Sequence, residues 1–517
     1  MNFFALKPGA GLPPNPATGM YLLTDTWDDF RYHTTFRAVH VRSDKIPIVL
    51  GLVKIAQFGQ TTLNRTELPE RFESLPDSYF SLGQGDSYYL ALQALPAKTR
   101  NSVFRALRDA AFDLSICDAA ETESVFQISL LRDRSLASVR GQFNRIAHGG
   151  PRHLGFGFSF RPSSTPNSPE IRFAVVPNSI PPTNIHALIG RNGVGKSRAL
   201  HFMTSLAIGD SLKAGLSTLT FDDEVGGSQF ANVVYISFSA FDDLTPPSVP
   251  VRHGRPSFSY AHIGLRRLPD SRNMDVAQED FGTPKSHEEL VSEFLSSALA
   301  ILNDESKSRL WLAALRELET DPGFRDYSIV ALPADRDPKS AALFAERARS
   351  LFNALSSGHK IVLLSTTRLV EVAEERSLVL IDEPEAHLHP PLLSAYTRAL
   401  SQLLTQTNGV CVLATHSPVV LQEVPSDCVT ILRRRGSSSH FERPSRETFG
   451  EDVGTLTTEV FGLDVTESGF HRLVRDAVEV NDSVDAVVRH FDGHLGSEAL
   501  ALAQALMSYR KRQEAGG

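Results

Sequence analysis

Residues 190–197 carry the clearest chemical motif of the chain. They read Gly-Arg-Asn-Gly-Val-Gly-Lys-Ser, match the pattern GxxxxGK followed by Ser or Thr, and lie between a strand-like apolar run and a helix-like segment. In such a loop, glycines let successive N–H groups point at phosphate oxygens, and the following helix adds the positive end of its dipole. We predict that Lys196 reaches the β- and γ-phosphates of ATP and that the Ser197 hydroxyl binds Mg²⁺. The alternative is a tight glycine turn with a surface lysine. The residues predicted to line the bound ATP are Asn192, Gly193, Val194, Gly195, Lys196, Ser197 and Arg198.

Two adjacent carboxylates, Asp382 and Glu383, follow a second apolar run at residues 377–381. A buried parallel strand accommodates carboxylates only at its carboxyl end, which is where α/β proteins place their ligand sites. We predict that Asp382 binds Mg²⁺, directly or through water, and that Glu383 is the catalytic residue that orients or deprotonates the attacking water. An acidic turn after a core strand is the alternative explanation.

For residues 355–360, a family resemblance gives a specific predicted function. They read Leu-Ser-Ser-Gly-His-Lys, precede the acidic pair, and resemble the LSGGQ signature of ABC-type ATPases. In that family the signature caps the γ-phosphate held by the phosphate-binding loop of a second subunit. The resemblance therefore implies a head-to-tail dimer in which Ser356, Ser357 and Gly358 contact the ATP of the partner. A Ser/Gly helix cap explains the same residues without a nucleotide.

His416 lies in the segment Ala-Thr-His-Ser-Pro at residues 414–418, directly after an apolar run at 410–412. This segment resembles the switch-histidine loop of the same family, in which the imidazole reaches the γ-phosphate. The resemblance implies that His416 is a second catalytic residue beside Glu383. A lone histidine at a strand end is otherwise a structural residue.

The segment that contains the acidic pair resembles particular groups of ATPases within the ABC type. Residues 382–390 read Asp-Glu-Pro-Glu-Ala-His-Leu-His-Pro, which is similar to the RecF-like and OLD-family ATPases that act in DNA repair and phage defence. Residues 449–454 and 460–464 also resemble segments of the ATPase subunit of Septu-type antiphage systems, which work with a separate HNH nuclease. The resemblance thus implies a partner effector. His387 and His389 form a candidate metal pair, but the sequence shows no third ligand, so we interpret them as structural.

Three features depart from the family pattern. Residues 239–243 lack the glutamine that ABC proteins normally place there to help hold Mg²⁺. The stretch of about a hundred residues between the two motif-bearing halves is too short for the long coiled coils of SMC proteins, at ~1.5 Å per helical residue. The segment after Leu421 has no cluster of acidic metal ligands like the nuclease domain of OLD proteins. We therefore expect no nuclease activity in this chain.

The elements that must hold these residues form five predicted regions. Residues 1–150 form an N-terminal α+β region of unknown role, and residues 151–250 form the first half of an ATPase core with a β-subdomain. Residues 251–350 are predicted to be an inserted helical lobe, residues 351–435 the second half of the core, and residues 436–517 a mainly helical C-terminal region. The predicted fold class is α/β, a P-loop NTPase of the ABC ATPase type with a mixed β-sheet core.

Composition limits the cellular setting. The chain has 517 residues, a net charge of −8 and a pI near 6.1, so it lacks the general basic excess of a nucleic-acid binder. Its three isolated cysteines indicate neither disulfides nor zinc and fit a reducing cytosol. The apolar runs are far shorter than the ~20 residues of a membrane span, and the N-terminus lacks a signal-peptide pattern. We therefore expect a cytoplasmic protein without a membrane partner.

The leading hypothesis is an ATPase that uses ATP and Mg²⁺ to close a homodimer or a higher homo-oligomer. Closure would regulate a separate effector, such as a nuclease, in antiphage defence. One alternative is a RecF-like DNA-repair ATPase that binds DNA directly through a basic track, whose candidates are Arg433, Arg434, Arg435, Arg443 and Arg446. Another is a nucleotide-gated scaffold with little hydrolysis. The missing glutamine and the sequence after Glu383 argue against the motor subunit of a transporter.

Overall fold

The computed structural model describes most of the chain: residues 1–26, 28–62, 65–132, 134–163, 168–210, 215–222, 230–238, 251–252, 255–256, 259–268, 280–334, 341–435, 438–462 and 469–515. Two parts of the sequence-based interpretation lie outside these residues. They are the segment 239–243 that lacks the expected glutamine and the end of the Septu-like segment, residues 463–464.

The N-terminal region is a six-stranded sheet covered by short helices. Its strands are β1 Phe3–Leu6, β2 Gly19–Thr24, β3 Thr35–Val41, β4 Pro47–Gln57, β5 Arg71–Phe72 and β6 Tyr79–Gly83. Its helices are α1 Asp86–Gln93, α2 Ala97–Leu107, α3 Leu114–Ala120, α4 Leu136–Ser138 and α5 Asn144–Ala147, with π-helical turns at Phe126–Leu130 and Val139–Phe143. The strand order is β5-β1-β2-β3-β4-β6, and β1 and β2 are the parallel pair. The predicted α+β character of residues 1–150 is thus seen in the described residues.

The remaining elements build the region that carries the motifs. The strands are β7 Phe156–Arg161, β8 Ile171–Val175, β9 Ile185–Gly190, β10 Thr218–Phe221, β11 Asn232–Ser237, β12 Val251–Arg252, β13 Arg255–Pro256, β14 Ser259–Gly264, β15 Leu378–Asp382, β16 Val410–Thr415, β17 Val429–Arg435 and β18 Ser438–Glu442. The helices are α6 Lys196–Ile208, α7 His287–Leu302, α8 Glu305–Leu318, α9 Pro322–Arg325, α10 Ala341–Ala354, α11 Ser357–Val372, α12 Pro390–Thr407, α13 Pro418–Leu421, α14 Val453–Phe461, α15 Gly469–Val480, α16 Val484–His490 and α17 Ser497–Ala515. Short 3₁₀ turns lie at Ile329–Ala334, Pro384–His387 and Ser426–Cys428.

A seven-stranded sheet forms the centre of this region, in the order β14-β11-β15-β16-β9-β17-β18. The first six strands run parallel, and β18 pairs with β17 in the antiparallel sense. Strands β9, β11, β15 and β16 are buried along their whole length, which explains their nearly continuous apolar sequences. The chain is therefore a mixed α/β protein, as its sequence predicts.

Both faces of the central sheet are covered. Because successive strand residues point to opposite faces, Ile236 and Ile381 join a core with α7, α8, α11 and α12, whereas Tyr235 and Leu380 join a second core with α6 and the three-stranded antiparallel sheet β10-β7-β8. Strands β7 and β8, which are consecutive in sequence, pair in the antiparallel sense. The helices of the predicted lobe share the first core with the sheet instead of forming a core of their own.

Strand β14 is an element that the sequence prediction lacks. Residues after Pro256 are predicted to be mostly helical, yet Ser259–Gly264 pairs in parallel with β11 as the edge of the central sheet. Its six residues include Ser, Tyr and His, so the run is too short and too polar to indicate a buried strand. The long helices begin only at His287. No helix among the described residues combines the length and apolar character that a membrane crossing requires.

Ion pairs and hydrogen bonds join the N-terminal region to the segment between α11 and β15. Glu374 Oε2 accepts hydrogen bonds from Ser135 N at 2.9 Å and Ser135 Oγ at 2.8 Å, and also from the Ser138 hydroxyl. Glu375 pairs with Arg145 at 2.5 Å. These contacts hold the start of β15, the strand that ends at Asp382. The residue ranges proposed for the five domains stay predictions.

Candidate functional site

Four parallel strands end side by side and bring the predicted residues to one edge of the sheet. Asp382 is in register with Ser237 of β11 on one side and with Ala414 of β16 on the other. Thr415 is in register with Ile189, one residue before the glycine-rich loop. Because the strands are parallel, segments far apart in sequence meet at their carboxyl ends, where α/β folds place ligands.

The glycine-rich loop folds back over its own lysine. Gly193 and Gly195 have φ of 75° and 103°, in the left-handed region that favours glycine. The Lys196 side chain is buried, and its ammonium donates hydrogen bonds to the carbonyl oxygens of Gly190 at 3.1 Å and Arg191 at 3.2 Å. A Cβ on Gly190 would lie 2.3 Å from Leu432 O, so the neighbouring strand β17 requires glycine there. The loop has the shape that a phosphate cradle needs.

Burial lowers the pKa of Lys196, and three nearby carboxylates oppose that shift. They belong to Glu383, Asp382 and Glu385, in that order of effect. The ammonium of this buried lysine therefore lies close to three carboxylates. A polyanionic phosphate placed in the loop would find this cation and the backbone N–H groups together.

Ser197 and Asp382 are brought into contact. Ser197 Oγ donates to Asp382 Oδ1 at 3.1 Å, and the Tyr235 hydroxyl lies 3.4 Å from Asp382 Oδ2. Asp382 is 2% exposed. A hydroxyl and a carboxylate are the hard oxygen donors that Mg²⁺ prefers, and a nucleotide phosphate and waters commonly complete its octahedron. The donor set fits the predicted metal.

Glu383 and His416 meet beside the lysine. His416 Nε2 lies 2.8 Å from Glu383 Oε1 and 2.8 Å from Lys196 Nζ, so the ring nitrogen either donates to the carboxylate or accepts from the ammonium, depending on its tautomer. Glu383 has φ 44° and ψ 59°, an unusual conformation for a residue with a side chain. Such conformations persist where surrounding structure imposes them, and they cluster at functional sites.

Glu385 is a residue of this site that the sequence interpretation missed. Its Oε1 accepts hydrogen bonds from Thr415 Oγ1 at 2.8 Å and from the His416 backbone N–H. The carboxylate thereby ties the turn after β15 to the loop after β16. Its position two residues after Glu383 was the available signal, but the sequence interpretation used that segment only for family resemblance.

The signature-like residues lie at the start of α11. Ser356 is the N-cap residue, Ser356 and Ser357 are exposed, and Gly358 is buried. A Cβ on Gly358 would lie 2.7 Å from His387 O, so close packing also requires this glycine. Ser356 Oγ lies 2.7 Å from His359 Nδ1, and none of the described hydrogen bonds or ion pairs joins residues 356–358 to the glycine-rich loop. Within one chain, the structure does not bring these serines to Lys196.

The remaining predicted ligands lie around the loop. Asn192 and Arg198 are exposed, and Val194 is half-buried against the core beneath the loop. The Arg198 guanidinium lies over the Phe202 ring, 5.1 Å from its centroid. Arg198 is therefore held at the mouth of the loop by its own helix.

The candidate DNA track is largely engaged within the chain. Arg433 pairs with Glu442 and donates to the carbonyl oxygens of Val460 and Glu459, and Arg443 donates to Val429 O at 2.8 Å. Arg434 donates to Gly193 O at 3.3 Å. Arg446 lies 3.9 Å from Glu459, and the side chain of Arg435 is outside the described residues. These contacts give most of the arginines a structural role.

Comparison with known proteins identifies the family. Residues 185–422 match a family model described as "AAA domain, putative AbiEii toxin, Type IV TA system". The chain is 34% identical to Protein ea59 of Escherichia phage lambda over 530 aligned residues, which cover 99% of this chain and 99% of that protein. The chain belongs to the ea59 family. The matched range of this ea59-family chain includes the glycine-rich loop, the signature-like residues, the acidic pair and His416.

A solved structure gives a weaker likeness. "An inward-facing conformation of a putative metal-chelate type ABC transporter" matches the ea59-family chain with a TM-score of 0.28 and 14% identity, covering 59% of this chain and 89% of that one. These values are too low to carry an argument about function. What the comparisons support is an AAA-type ATPase domain, and they do not distinguish RecF-like, OLD-like or Septu-type relatives.

Proposed function

We propose that this protein binds and hydrolyses ATP in sites shared by two head-to-tail copies, and that closure of the pair regulates a separate effector. The observation that carries the proposal is the meeting of Lys196, Ser197, Asp382, Glu383 and His416 at one sheet edge, within hydrogen-bond distance of their neighbours. Those side chains supply a phosphate cation, a magnesium site, a water-orienting carboxylate and a γ-phosphate sensor.

Each residue has a role that its contacts allow. Lys196 would neutralise charge on the β- and γ-phosphates, and Ser197 and Asp382 would hold Mg²⁺, which would supply further positive charge for the phosphate oxygens. Glu383 accepts a proton from the attacking water or orients it, and His416 bridges Glu383 to the terminal phosphate. Tyr235 and Glu385 keep Asp382 and the His416 loop in position. The local pieces of a hydrolytic site are therefore present in one chain.

The shared character of the site rests on residues 356–358. Ser356 and Ser357 are exposed at the N-terminus of the sixteen-residue helix α11, where N–H groups and the helix dipole favour an anion. Because their described contacts do not include the loop of their own chain, a phosphate held by a second copy is the ligand that we assign to them. ATP would then act as the bond between two chains, and hydrolysis would release it.

The comparisons supply the support for a separate effector. The description of the matching family model includes the words "putative AbiEii toxin, Type IV TA system", and the relative is a phage protein, which fits a role in conflict between phage and host. We propose a nuclease as the effector and antiphage defence as the setting. Co-purification of the chain with the product of the adjacent reading frame tests the partner, and a chain that purifies alone contradicts it.

Phosphate release by purified full-length protein tests the activity. We expect Lys196→Ala to lose ATP binding, and Glu383→Gln to bind ATP, lose turnover and accumulate as a dimer in size-exclusion chromatography with light scattering. A Glu383→Gln variant with wild-type turnover would refute the assignment. If wild type itself shows ATP-dependent dimers with no turnover, the protein is a nucleotide-gated scaffold.

Mixing two inactive variants tests the shared site. Lys196→Ala damages the loop but keeps the serines, whereas Ser357→Arg blocks the serines but keeps the loop. In mixed dimers one of the two sites combines an intact loop with intact serines, so the mixture should recover part of the activity. If the serines act within their own chain, mixing restores nothing.

A further inference from the structure

Three side chains from separate segments converge beneath the signature-like turn. Asp321 precedes the short helix α9, His359 lies in the first turn of α11, and His389 precedes α12. Asp321 Oδ1 lies 2.9 Å from His359 Nε2, and Asp321 Oδ2 lies 3.8 Å from His389 Nε2. One donor atom from each residue lies within 4.8 Å of the other two. Two donors of one ion at about 2.0–2.2 Å lie no more than ~4.4 Å apart, so the two Asp321 distances fit such an ion, and a side-chain shift of a few tenths of an ångström brings the widest separation allowed here, 4.8 Å, into that range.

We propose that Asp321, His359 and His389 bind a divalent transition metal, with Zn²⁺ as the occupant. Two imidazoles and one carboxylate are the donor set of open zinc sites, in which three protein ligands leave a position for water. The sequence expectation of no zinc rested on the cysteines and on the lack of a third ligand for the His387 and His389 pair. Tertiary structure supplies two further donors to His389, whereas His387 Nε2 instead lies 3.0 Å from Phe238 O.

Burial gives the site one closed side and one open side. Asp321 is 2% exposed, and the side chain of His359 is 13% exposed, so both are held inside the protein. The side chain of His389 is 54% exposed. A metal would enter from the His389 side and keep water there as a further ligand.

Gly323 packs closely against two of the donors. A Cβ at this position would lie 2.3 Å from His359 Nε2 and 3.1 Å from Asp321 Oδ1. Gly323 does not have a positive φ, so its backbone conformation does not by itself require glycine. A side chain at position 323 would therefore displace the imidazole or the carboxylate from its present position.

Second contacts orient two of the ligands. Ser356 Oγ lies 2.7 Å from His359 Nδ1, so a proton on Nδ1 can be donated to the serine while Nε2 faces the metal. Gly323 N donates to Asp321 Oδ1 at 2.9 Å. His389 Nδ1 accepts a hydrogen bond from Leu392 N at 3.2 Å and thereby caps α12. Ligation of a metal through Nε2 places the ring proton on Nδ1, so this hydrogen bond must break when the metal binds. Metal binding and capping of α12 by His389 are therefore alternatives.

The metal would join the turn that carries Ser356 and Ser357 to the turn that follows Glu383. Its expected physical effect is added stability, because a ligand that binds only the folded chain raises the free energy of unfolding by mass action. This proposal does not depend on ATP hydrolysis. Metal binding and turnover can succeed or fail separately.

Metal titration of untagged, chelator-treated, full-length protein tests the site. We expect one Zn²⁺ per chain by elemental analysis, a rise in Tm with added Zn²⁺, and the visible absorption of a nitrogen- and oxygen-ligated ion when Co²⁺ is the probe. His389→Gln and Gly323→Ala should lose all three signals. His494→Gln is the matched control, because His494 is an exposed histidine remote in sequence from the three ligands, and it should behave as wild type.

The outcomes are decisive in both directions. Wild type that binds no stoichiometric metal overturns the proposal, as does a His389→Gln variant that binds like wild type. Because His389 is largely exposed, its replacement should leave folding intact, which circular dichroism checks. Should Gly323→Ala fail to fold, the His389→Gln comparison by itself decides the question.

Discussion

Replacing Glu385 by glutamine should slow ATP turnover while leaving ATP binding nearly unchanged. The side chain accepts two hydrogen bonds through one oxygen, from Thr415 Oγ1 and from the His416 N–H. Glutamine keeps an acceptor of the same shape but removes the charge. A hydrogen bond to a charged group contributes about 1.5–3 kcal/mol and a neutral one about 0.5–1.5 kcal/mol, so each bond loses about 1–1.5 kcal/mol and the two together lose roughly 2–3 kcal/mol.

The size of the change in kcat depends on which step of the reaction loses this free energy. If the His416 loop must be held only while the terminal phosphate is transferred, the whole loss enters the activation barrier. At about 1.4 kcal/mol per factor of ten, kcat then falls about 30- to 150-fold. The Kd for ATP should change little, because no described hydrogen bond joins Glu385 to Lys196 or the glycine-rich loop, and Glu385 has the smallest effect of the three carboxylates on the Lys196 pKa. Phosphate release at saturating ATP and equilibrium titration with a fluorescent ATP analogue measure the two quantities.

Glu375→Gln is the matched control. Glu375 is likewise an acidic residue that accepts hydrogen bonds, from Arg145 at 2.5 Å and from Asn408 at 3.3 Å, but it precedes β15 whereas Glu385 follows it. Its replacement should cost stability and leave kcat as in wild type. The reasoning is refuted if Glu385→Gln keeps the wild-type kcat, or if both variants lose kcat equally.

Two further predictions concern stability. Burial, followed by the charge of neighbouring cations, lowers the pKa of His186 and of His262 to about 3 from the ordinary 6.5. Below pH 6.5 the unfolded chain therefore binds more protons than the folded chain, so the free energy of unfolding is at its full value above that pH. On acidification each histidine lowers the free energy of unfolding by about 1.4 kcal/mol per pH unit, or about 2 kcal/mol by pH 5. Urea unfolding at pH 7 and pH 5 should show a smaller difference for the His186→Gln, His262→Gln double variant; an equal difference would contradict the assignment. Glu374→Ala removes the carboxylate that accepts hydrogen bonds from Ser135 and Ser138, and it should lower the free energy of unfolding by about 1–3 kcal/mol. Hydrogen exchange across residues 135–147 should become faster. Unchanged exchange there would show that this contact does not hold the N-terminal region.

Local sequence was sufficient for the phosphate loop and for the strands that flank it. A phosphate cradle is made by consecutive residues, because the glycines, the lysine and the serine act on the same ligand from one turn. Long apolar runs such as those of β15 and β16 can be buried on both sides only within a covered sheet, so their place in the core could also be predicted.

Edge elements and polar contacts could not be predicted in the same way. Strand β14 has too few apolar residues for its sequence pattern to be distinguished from that of a loop. It is a strand because it pairs with β11. The arginines of the candidate DNA track look free in sequence, yet Arg433 and Arg443 are bonded to carbonyl oxygens of their own chain. A charged side chain does not reveal its partner from sequence spacing alone.

The motifs predict which residues contact a nucleotide from sequence alone: the loop that ends at Ser197, the acidic pair at Asp382 and the histidine at 416. The contact of Glu385 with the His416 loop, and the approach of Asp321 and His359 to His389, are seen in the folded chain and have no signal in the sequence motifs. The physical reason is the distance along the chain over which contacts form. A motif of adjacent residues has its geometry imposed by the local backbone, whereas a cluster drawn from three helix starts exists only after those helices have packed.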